Sequence, residues 1–436
     1  MSDATMEKII SLAKRRGFIF PGSEIYGGLS GTWDYGPMGI ALKRNIQNLW
    51  WNMFVESRDD MFGIDAAIIM NPKAWEASGH VSGFSDPMVE CTKCKKRFRA
   101  DHVEGSVCPE CGGKLGEARQ FNMMFKTQIG ATADAAATVY LRPETAGGMF
   151  VNFKNVIDSI HPKLPFGLGQ IGKAFRNEIA ARDFIFRVRE LEQMEIEYFV
   201  HPSEWEGKFE EWRLAMHEWM KAVGIDASKV SELEVSAEDR AHYSSRTIDF
   251  EFEYPFGKKE LYGLAYRADF DLKAHAEHSG VDLSVMDEDA KEKFVPHVIE
   301  PTFGVERTVL AVLLSAYTED GMGENGRVFL KLDKKIAPVK AAVFPLLKNK
   351  PELVSKAREV YLMLKKEIPN IMWDDNGNVG KRYRRQDEIG TPHTITIDFD
   401  TLGESGDEKK DTVTVRDRDT GEQVRIAIPD LVAHIR

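Results

Sequence analysis

Residues 172–200, GKAFRNEIAARDFIFRVRELEQMEIEYFV, constrain the fold more than any other stretch of the chain. From Phe186 to Tyr198 charged and apolar side chains alternate with period two, which predicts a strand. One face would carry Arg187, Arg189, Gln193, Glu195 and Glu197, the other Val188, Glu190, Glu192, Met194, Ile196 and Tyr198. A half-buried strand ordinarily keeps polar groups on one face; this one places carboxylates on both. Arg176 and Glu178 precede it at i and i+2, an arrangement that predicts one shared face of an incoming strand. Arg182 falls in the connecting loop, with Phe184 and Phe186 beyond it. Two readings are open. One is a surface hairpin held by cross-strand ion pairs. The other is a substrate site, because a guanidinium matches phosphate oxygens and carboxylates suit an ammonium group or a divalent metal. An exposed phenylalanine adds a stacking surface worth about 1–3 kcal/mol per base. The summed chemistry is that of an amino acid held beside ATP.

The four cysteines stand together as Cys91-x2-Cys94 and Cys108-x2-Cys111. This spacing suits a closed tetrahedral four-thiolate zinc site, structural because no coordination position stays open. Disulfides are the rival reading, and a chain with no apolar leader in MSDATMEKII argues against them. The same N-terminus and the lack of a membrane-length apolar run predict a soluble, cytoplasmic protein. With 436 residues, 43% hydrophobic and 29% charged, the chain has room for two or three domains. The net charge of -11 argues against bulk attraction to a polyanion. It leaves room for a local basic patch, and KRYRR (Lys381 to Arg385) is the candidate, with a solvated helix face as the alternative.

Along the chain, residues 38–57 put Leu42, Ile46, Leu49, Trp50, Met53 and Phe54 on one helical face, followed by an expected strand at 64–70. A zinc hook occupies about 88–116. TVYLRPETAGGMFVNF (138–153) reads as a strand and helix, and 203–245 as an insertion led by a surface helix with spaced tryptophans. Strands fill 246–270, with Gly257-Lys258-Lys259 as a turn. After Asp333 strands alternate with helices, which predicts a second, α/β domain over 334–436. GxxxxGK[ST], GxGxxG, GxSxG and HExxH are all missing, so nucleophilic and hydride chemistry lack support. IEPTFGVERTVLAVLL (299–314) reads as a strand, a turn at Gly304 and a helix with Arg307 in its first turn, a combination that favours an anion.

These segments resemble, in order, the three motifs of class II aminoacyl-tRNA synthetases. The helix 38–57 with the strand ending at Pro72 is similar to motif 1; Phe175-Arg176-Asn177-Glu178 with Arg182-x3-Phe186 to motif 2; Gly304-Val305-Glu306-Arg307 to motif 3. Within the class the closest resemblance is to the homodimeric glycyl-tRNA synthetases. It is carried by WDYGPMG (33–39), SGHVSGFSDPM (78–88), FNMMFKT (121–127), YLRPETAGGMFVNFKN (140–155), QIGKAFRNE (170–178), LEQMEIEYF (191–199) and DTVTVRDRDT (411–420). The resemblance implies an α+β fold: a class II antiparallel sheet flanked by helices over 1–333, a zinc-knuckle insertion, and an α/β anticodon-binding domain. It also implies a homodimer acting on glycine, ATP and tRNA(Gly) with Mg2+ and structural zinc, with no membrane association. Two alternatives are a non-catalytic, nucleic-acid-binding accessory subunit, in which ATP-binding arginines such as Arg176 and Arg307 would be lost, and a zinc-dependent nucleic-acid-binding module, against which the short hook within a full synthetase-like chain argues.

The resemblance also implies roles for residues. Arg176 would hold the α-phosphate, Glu178 read the adenine edge, Phe186 stack on the ring and Arg307 clamp the γ-phosphate, these arginines and Glu178 being the catalytic set. Asn177, Arg187, Val188, Arg189, Glu190, Leu191, Glu260, Leu261, Gly304, Val305 and Glu306 complete the ATP site, Glu260 helping with Mg2+. Glycine would meet Arg99, Glu144, Leu191, Glu192, Gln193, Met194, Glu195, Glu300, Pro301, Thr302, Phe303 and Gly304. The family usually has Ser where this chain has Thr302 and Gln where it has Gly147. Phe186 and Glu195 are out of phase, which predicts a bulge or twist between them.

Overall fold

The computed structural model describes residues 2–130, 138–287, 290–321 and 326–436. Its centre is a seven-stranded sheet. In chain order the strands are β1 (Met61–Gly63), β2 (Phe166–Phe175), β3 (Glu190–Val200), β4 (Val230–Glu234), β5 (Arg246–Tyr254), β6 (Gly257–Ala268) and β7 (His297–Gly304). They lie in the order β4-β5-β6-β7-β3-β2-β1, antiparallel throughout except for the parallel β1–β2 pair at one edge.

Four helices cover this sheet: α1 (Pro37–Trp51), α2 (Ala146–Ile160), α3 (Trp205–Ala222) and α4 (Val305–Ala316). Gly36 precedes α1 in an extended conformation and Pro37 opens it, a position where the missing N–H costs nothing. Its periodic face is buried: Leu42, Ile46, Trp50 and Phe54 are at most 1% exposed. There Phe54 meets Trp212 and Trp219 of α3 and Phe303 of β7, with ring centroids 5.4–6.1 Å apart. Aromatic pairs at such spacing add about 0.5–1.5 kcal/mol beyond their burial. The face of α1 is therefore spent inside the chain's own core. On the opposite side of the sheet, α2 lays Phe150 and Phe153 in a smaller core with Phe166, Leu168 and Phe199.

Several expectations shift. β3 begins at Glu190, so residues 186–189 belong to the loop and β3 pairs with β2 continuously from Glu190 to Phe199. No bulge is needed, because Phe186 is not on the strand. Arg176 and Glu178 likewise lie just past the end of β2. Residues 64–70 form no strand: β1 stops at Gly63, and Ile69 makes only an isolated bridge to Leu141. The turn between β5 and β6 falls at Pro255–Phe256, since Lys258 and Lys259 already pair with Glu253 and Phe252. The stretch 203–245 is not a helical appendage. Trp212 and Trp219 are buried in the main core and Val230–Glu234 forms the sheet's outer strand.

The second unit is a five-stranded sheet: β8 (Ala341–Pro345), β9 (Ile371–Trp373), β10 (His393–Ile397), β11 (Thr412–Asp417) and β12 (Gln423–Ala427), in the order β9-β8-β10-β11-β12. Helix α5 (Pro351–Glu367) seats Leu353, Ala357, Val360 and Leu364 in its core, and α6 (Val379–Ile389) carries the KRYRR run. Ile336 and Ala337 still belong to the first core, so the change of core comes a few residues after Asp333. Two of the four basic side chains in the run are committed to structure, while Lys381 and Arg384 are exposed. Arg382, 1% exposed, donates to the carbonyls of Pro345, Asp375 and Gly377, and Arg385 forks onto Asp374 at 2.7–2.9 Å. Among the described residues no helix is long and apolar enough to cross a membrane.

Candidate active site: an acid-lined cavity joined to a cationic one

Where β2 ends, the chain turns and its polar groups gather around a cavity of about 270 Å³. The Arg176 N–H donates to Arg189 O at 2.9 Å, and its Nε to Pro143 O at 3.0 Å, which leaves the rest of the fork on the cavity wall. Glu178 is held by its own carbonyl, which accepts from Arg189 Nε and Nη2 at 3.2 and 3.0 Å. Its Oε2 is buried without a hydrogen-bond partner and lies 3.8 Å from Arg187 Nη1. The loop back to β3 reverses through Asp183 and Phe184, both in the left-handed region at φ 61° and 58°. That reversal delivers Phe186 to the cavity.

Phe186 is only 8% exposed. Its edges rest against Tyr254 and Phe256, with centroids 5.0 and 5.1 Å away, and the Arg307 guanidinium covers its ring at 4.5 Å. β7 runs directly into α4 at Gly304, which puts Arg307 in the first helical turn as expected. Arg307 Nη1 also reaches Glu260 O at 3.0 Å and Glu260 Oε2 at 3.1 Å. That pairing holds the exposed Glu260 carboxyl below the usual range. Arg99 enters from the cysteine hook, tied to Asp86 and Asp101 at 2.7 Å each.

A second cavity of about 260 Å³ adjoins the first, and Arg176, Gln193, Glu260 and Thr302 line both. Its walls include Glu144, Glu195 and Glu300. Antiparallel pairing sets Glu195 of β3 opposite Thr302 of β7, and Thr302 Oγ1 donates to Glu195 Oε1 at 3.1 Å. Glu195 also accepts from Gln193 Nε2 at 3.2 Å and from Thr145 Oγ1. Arg267 forks onto Asp271 at 2.6 and 2.7 Å, donates to Glu300 at 2.8 Å and lies 3.7 Å over the Tyr243 ring.

Environment drives the three carboxyls apart. Burial opposes ionisation of Glu144, but His80 at 3.2 Å, Arg267 and Arg176 outweigh it and bring the carboxyl down to about 2. Burial and the neighbouring Glu144 charge raise Glu195. Burial pushes Glu300 up to about 8, with Arg267 opposing and Glu195 and Glu144 adding. Such opposed shifts in a cleft mark a functional site.

The cavities collect Arg99, Glu144, Arg176, Glu178, Phe186, Arg187, Val188, Leu191, Gln193, Glu195, Glu260, Leu261, Glu300, Thr302, Gly304, Glu306 and Arg307 from the expected set. Others sit elsewhere. Met194, Phe303 and Val305 point into the main core. Glu190 pairs with Lys173 at 2.7 Å and Glu192 with Lys43, which accounts for the carboxylates on the second face of β3. Arg189 braces Glu178 and Ser30 by their carbonyls, the Asn177 N–H donates to Met123 O, and Pro301 pairs within the sheet opposite Leu264. Glu306 lines the cavity but spends one oxygen on the Glu192 N–H at 2.9 Å. Sequence reasoning missed His80, Arg240, Tyr243, Asp249 and Arg267. Only the Arg267–Asp271 pair left a signal, its i,i+4 spacing; His80 opens a one-turn helix, and the others lie in a loop or on a strand.

The departures from the family pattern have local causes. A Cβ on Gly147 would meet the Trp75 ring at 2.8 Å, and Trp75 is wholly buried; a glutamine does not fit. Thr302 keeps its hydroxyl on Glu195.

The four cysteine Sγ atoms lie within 4.8 Å of one another, with Cys91–Cys111 at 3.5 Å and Cys94–Cys108 at 3.7 Å. Zinc–sulfur bonds of about 2.3 Å in a tetrahedron put sulfurs about 3.8 Å apart. The donor set fits zinc. Lys95 and Gly112, with φ 61° and 66°, close the two knuckles.

Comparisons with known proteins agree with this geometry. Residues 125–317 match the tRNA synthetase class II core domain (G, H, P, S and T), and 340–436 match an anticodon binding domain. The glycine–tRNA ligase of Acetivibrio thermocellus is 48% identical, covering 99% of this chain and 97% of that protein. The one from Alkaliphilus oremlandii is 48% identical (100% and 98% covered), and that of Lachnospira eligens 49% (99% and 98%).

Proposed function

The chain belongs to the glycine–tRNA ligases of class II, and we propose from that premise how its joined cavities divide the work of charging tRNA(Gly). ATP occupies the cationic cavity. Its adenine stacks on Phe186 once the Arg307 guanidinium, which covers that ring at 4.5 Å, lifts toward the γ-phosphate, while the free Oε2 of Glu178 accepts from the adenine amino group. Arg176 stands where the cavities meet, at the α-phosphate. Glycine occupies the acid-lined cavity, its ammonium held by Glu144, Glu195 and Glu300. The glycine carboxylate attacks the α-phosphorus, releasing pyrophosphate and leaving glycyl-adenylate. The terminal ribose hydroxyl of tRNA then attacks the glycyl carbonyl and AMP departs. Catalysis is by position and charge, with no covalent enzyme intermediate.

Glu260, exposed at the first cavity, would hold Mg2+ with the ATP phosphates, and the ion would offset their charge. Cys91, Cys94, Cys108 and Cys111 would hold a structural zinc that fixes the hook carrying Arg99. Two copies would pair through the segment after β1, where Ile68 and Ile69 are 36% and 45% exposed. The chain would divide into a catalytic part to about Asp333 and an anticodon-binding part beyond it, and would act in the cytoplasm.

The observation that carries this reading is the shared wall of the two cavities, where Arg176 adjoins both the aromatic–arginine pair and the buried carboxylates. ATP–pyrophosphate exchange with each amino acid in turn tests it. Glycine alone should support exchange; exchange with another amino acid, or none, overturns it.

A further inference from the structure

Behind Glu195 and Glu300 stands a further glutamate that the proposed reaction does not use. One face of β3 runs Gln193, Glu195, Glu197 and Phe199. The first two line the acid-lined cavity. Phe199 packs against Phe153 and Phe166 beneath α2, so Glu197 falls at the boundary between cavity and apolar core. It is wholly buried, and neither of its carboxyl oxygens has a hydrogen-bond partner among the described residues. Burying an ionised carboxylate in that state is very costly. A neutral acid is far cheaper, but it needs an acceptor for its O–H.

The sheet register supplies one. β3 pairs with β7 at Glu195–Thr302 and again at Tyr198–Ile299, a constant offset that sets Glu197 directly across from Glu300. Residues so opposed have Cβ atoms about 4.5–5.5 Å apart, where two like charges repel. On its other side Glu197 pairs with Leu168 of β2, and α2 turns only Met149, Phe150 and Phe153 toward this core, so neither element brings a charge. The charged neighbours are Glu195 on the same strand, Glu300, Arg267 of β6 and Asp271 of the helix Phe270–Ser279. Of these four Arg267 is the cation, and its donors go to Asp271 at 2.6 and 2.7 Å and to Glu300 at 2.8 Å. Burial, then the facing Glu300, holds the Glu197 carboxyl well above the usual range.

We propose that Glu197 is a positioning residue for glycine: a neutral acid that donates its O–H to Glu300 and so fixes the Glu300 carboxylate to receive the substrate ammonium. The facing pair then carries one negative charge between its two carboxyls. Glu300 is braced by Arg267 on one side and by Glu197 on the other, and the ammonium meets a carboxylate that is already oriented. The role rests on the reading of this cavity as the glycine site.

The test measures the glycine KM of the full-length enzyme against pH in ATP–pyrophosphate exchange. Glu197→Leu fills the space and removes the donor. It should raise the glycine KM about 10- to 100-fold at about pH 7, the range for a lost hydrogen bond to a charged group. It should also move the fall of KM with pH upward by about one to two units, because Glu300 then ionises without its donor. The ATP KM should hold. Glu197→Gln keeps a neutral donor, so its glycine KM and pH profile should stay near those of the parent; a Gln variant as impaired as the Leu variant overturns the proposal, since a charge would then be what the site needs. Infrared difference spectra of the parent against Glu197→Gln at about pH 9, where Glu300 is mostly ionised, should show the C=O band of a protonated carboxyl, and its absence overturns the proposal even if the Leu variant does not fold. An unchanged KM and profile in Glu197→Leu, with Glu195→Gln raising KM, overturns the role of Glu197 and leaves the cavity assignment standing. An unchanged glycine KM in Glu195→Gln instead removes the cavity assignment, and the role of Glu197 with it.

Discussion

Glu195 and Arg176 stand about one strand apart in sequence, yet the proposed mechanism gives them different substrates, and kinetics can separate them. Glu195→Gln keeps size and loses charge. Its glycine kcat/KM should fall by about one to two decades, the cost of a charge-assisted hydrogen bond of about 1.5–3 kcal/mol, while the ATP KM holds. Arg176→Lys keeps charge and loses the fork, so its exchange rate should fall even at saturating glycine. Similar small losses of stability in both, with no kinetic selectivity, would reduce them to an ion-pair lattice. Glu300 adds a pH dependence. With its carboxyl at about 8 in the folded protein, the charged form is scarce below that pH, so glycine KM should fall as pH rises toward about 8. The sign for stability is opposite. The contribution of the protonated carboxyl is full below its unfolded value of about 4.3 and is lost as pH rises through about 8. Glu300→Gln should flatten the KM profile between about pH 6 and 8; a profile as steep as that of the unchanged enzyme would contradict the assignment.

Among the elements, the cysteine hook is the most separable. Its three short strands (Ser85–Glu90, Arg97–Arg99 and Arg119–Asn122) make a small sheet whose core is little more than Val89, Leu115 and the cysteines. So small a core cannot hold itself without a staple. Cys94→Ser should release metal from the purified protein and leave the main core intact, lowering exchange mainly by displacing Arg99. Metal analysis of the unchanged protein that finds no zinc would sink this. Helix α2 shows the contrary case of an element fixed by packing. Gly147→Ala forces a Cβ to within 2.8 Å of the Trp75 ring, and overpacking of this kind costs about 1–3 kcal/mol. A thermal midpoint equal to that of the parent protein would show that Trp75 can yield.

At the scale of the whole molecule, the two cores are bolted together by arginines. Arg327 donates to the carbonyls of Arg418 and Asp419 at 2.6 and 2.9 Å, and Arg418 returns a bond to Leu332 O at 2.9 Å. A buried Arg416–Asp387 pair at 2.8 Å backs them. The proposed dimer belongs to this scale too. The α1 face is consumed internally, so the surface for a partner must come from exposed apolar groups such as Ile68, Ile69 and the loop residues Ile25, Tyr26 and Leu29. Light scattering at micromolar concentration should give twice the chain mass, and a monomer would refute the pairing.

What the sequence determined by itself was whatever depends on short spacing. The two CxxC knuckles put four sulfurs within reach of one ion, the 3.6-residue face of α1 became core, and the Gly304–Arg307 junction stood where the motif placed it. Period two also set Gln193 and Glu195 on one face of β3. The tertiary structure decided the rest. It showed that Arg382 and Arg385 of the KRYRR run are tied into the fold, that Phe186 is a buried wall and not an exposed plate, and that Arg240 lines the acid-lined cavity while Arg267 backs it through Glu300. The reason is physical. A side chain's reach along its own strand or helix follows from fixed backbone periods, whereas the charge it meets across a sheet depends on register and loop path. Those are set by the packing of segments a hundred or more residues apart, as Glu195 meeting Thr302 shows.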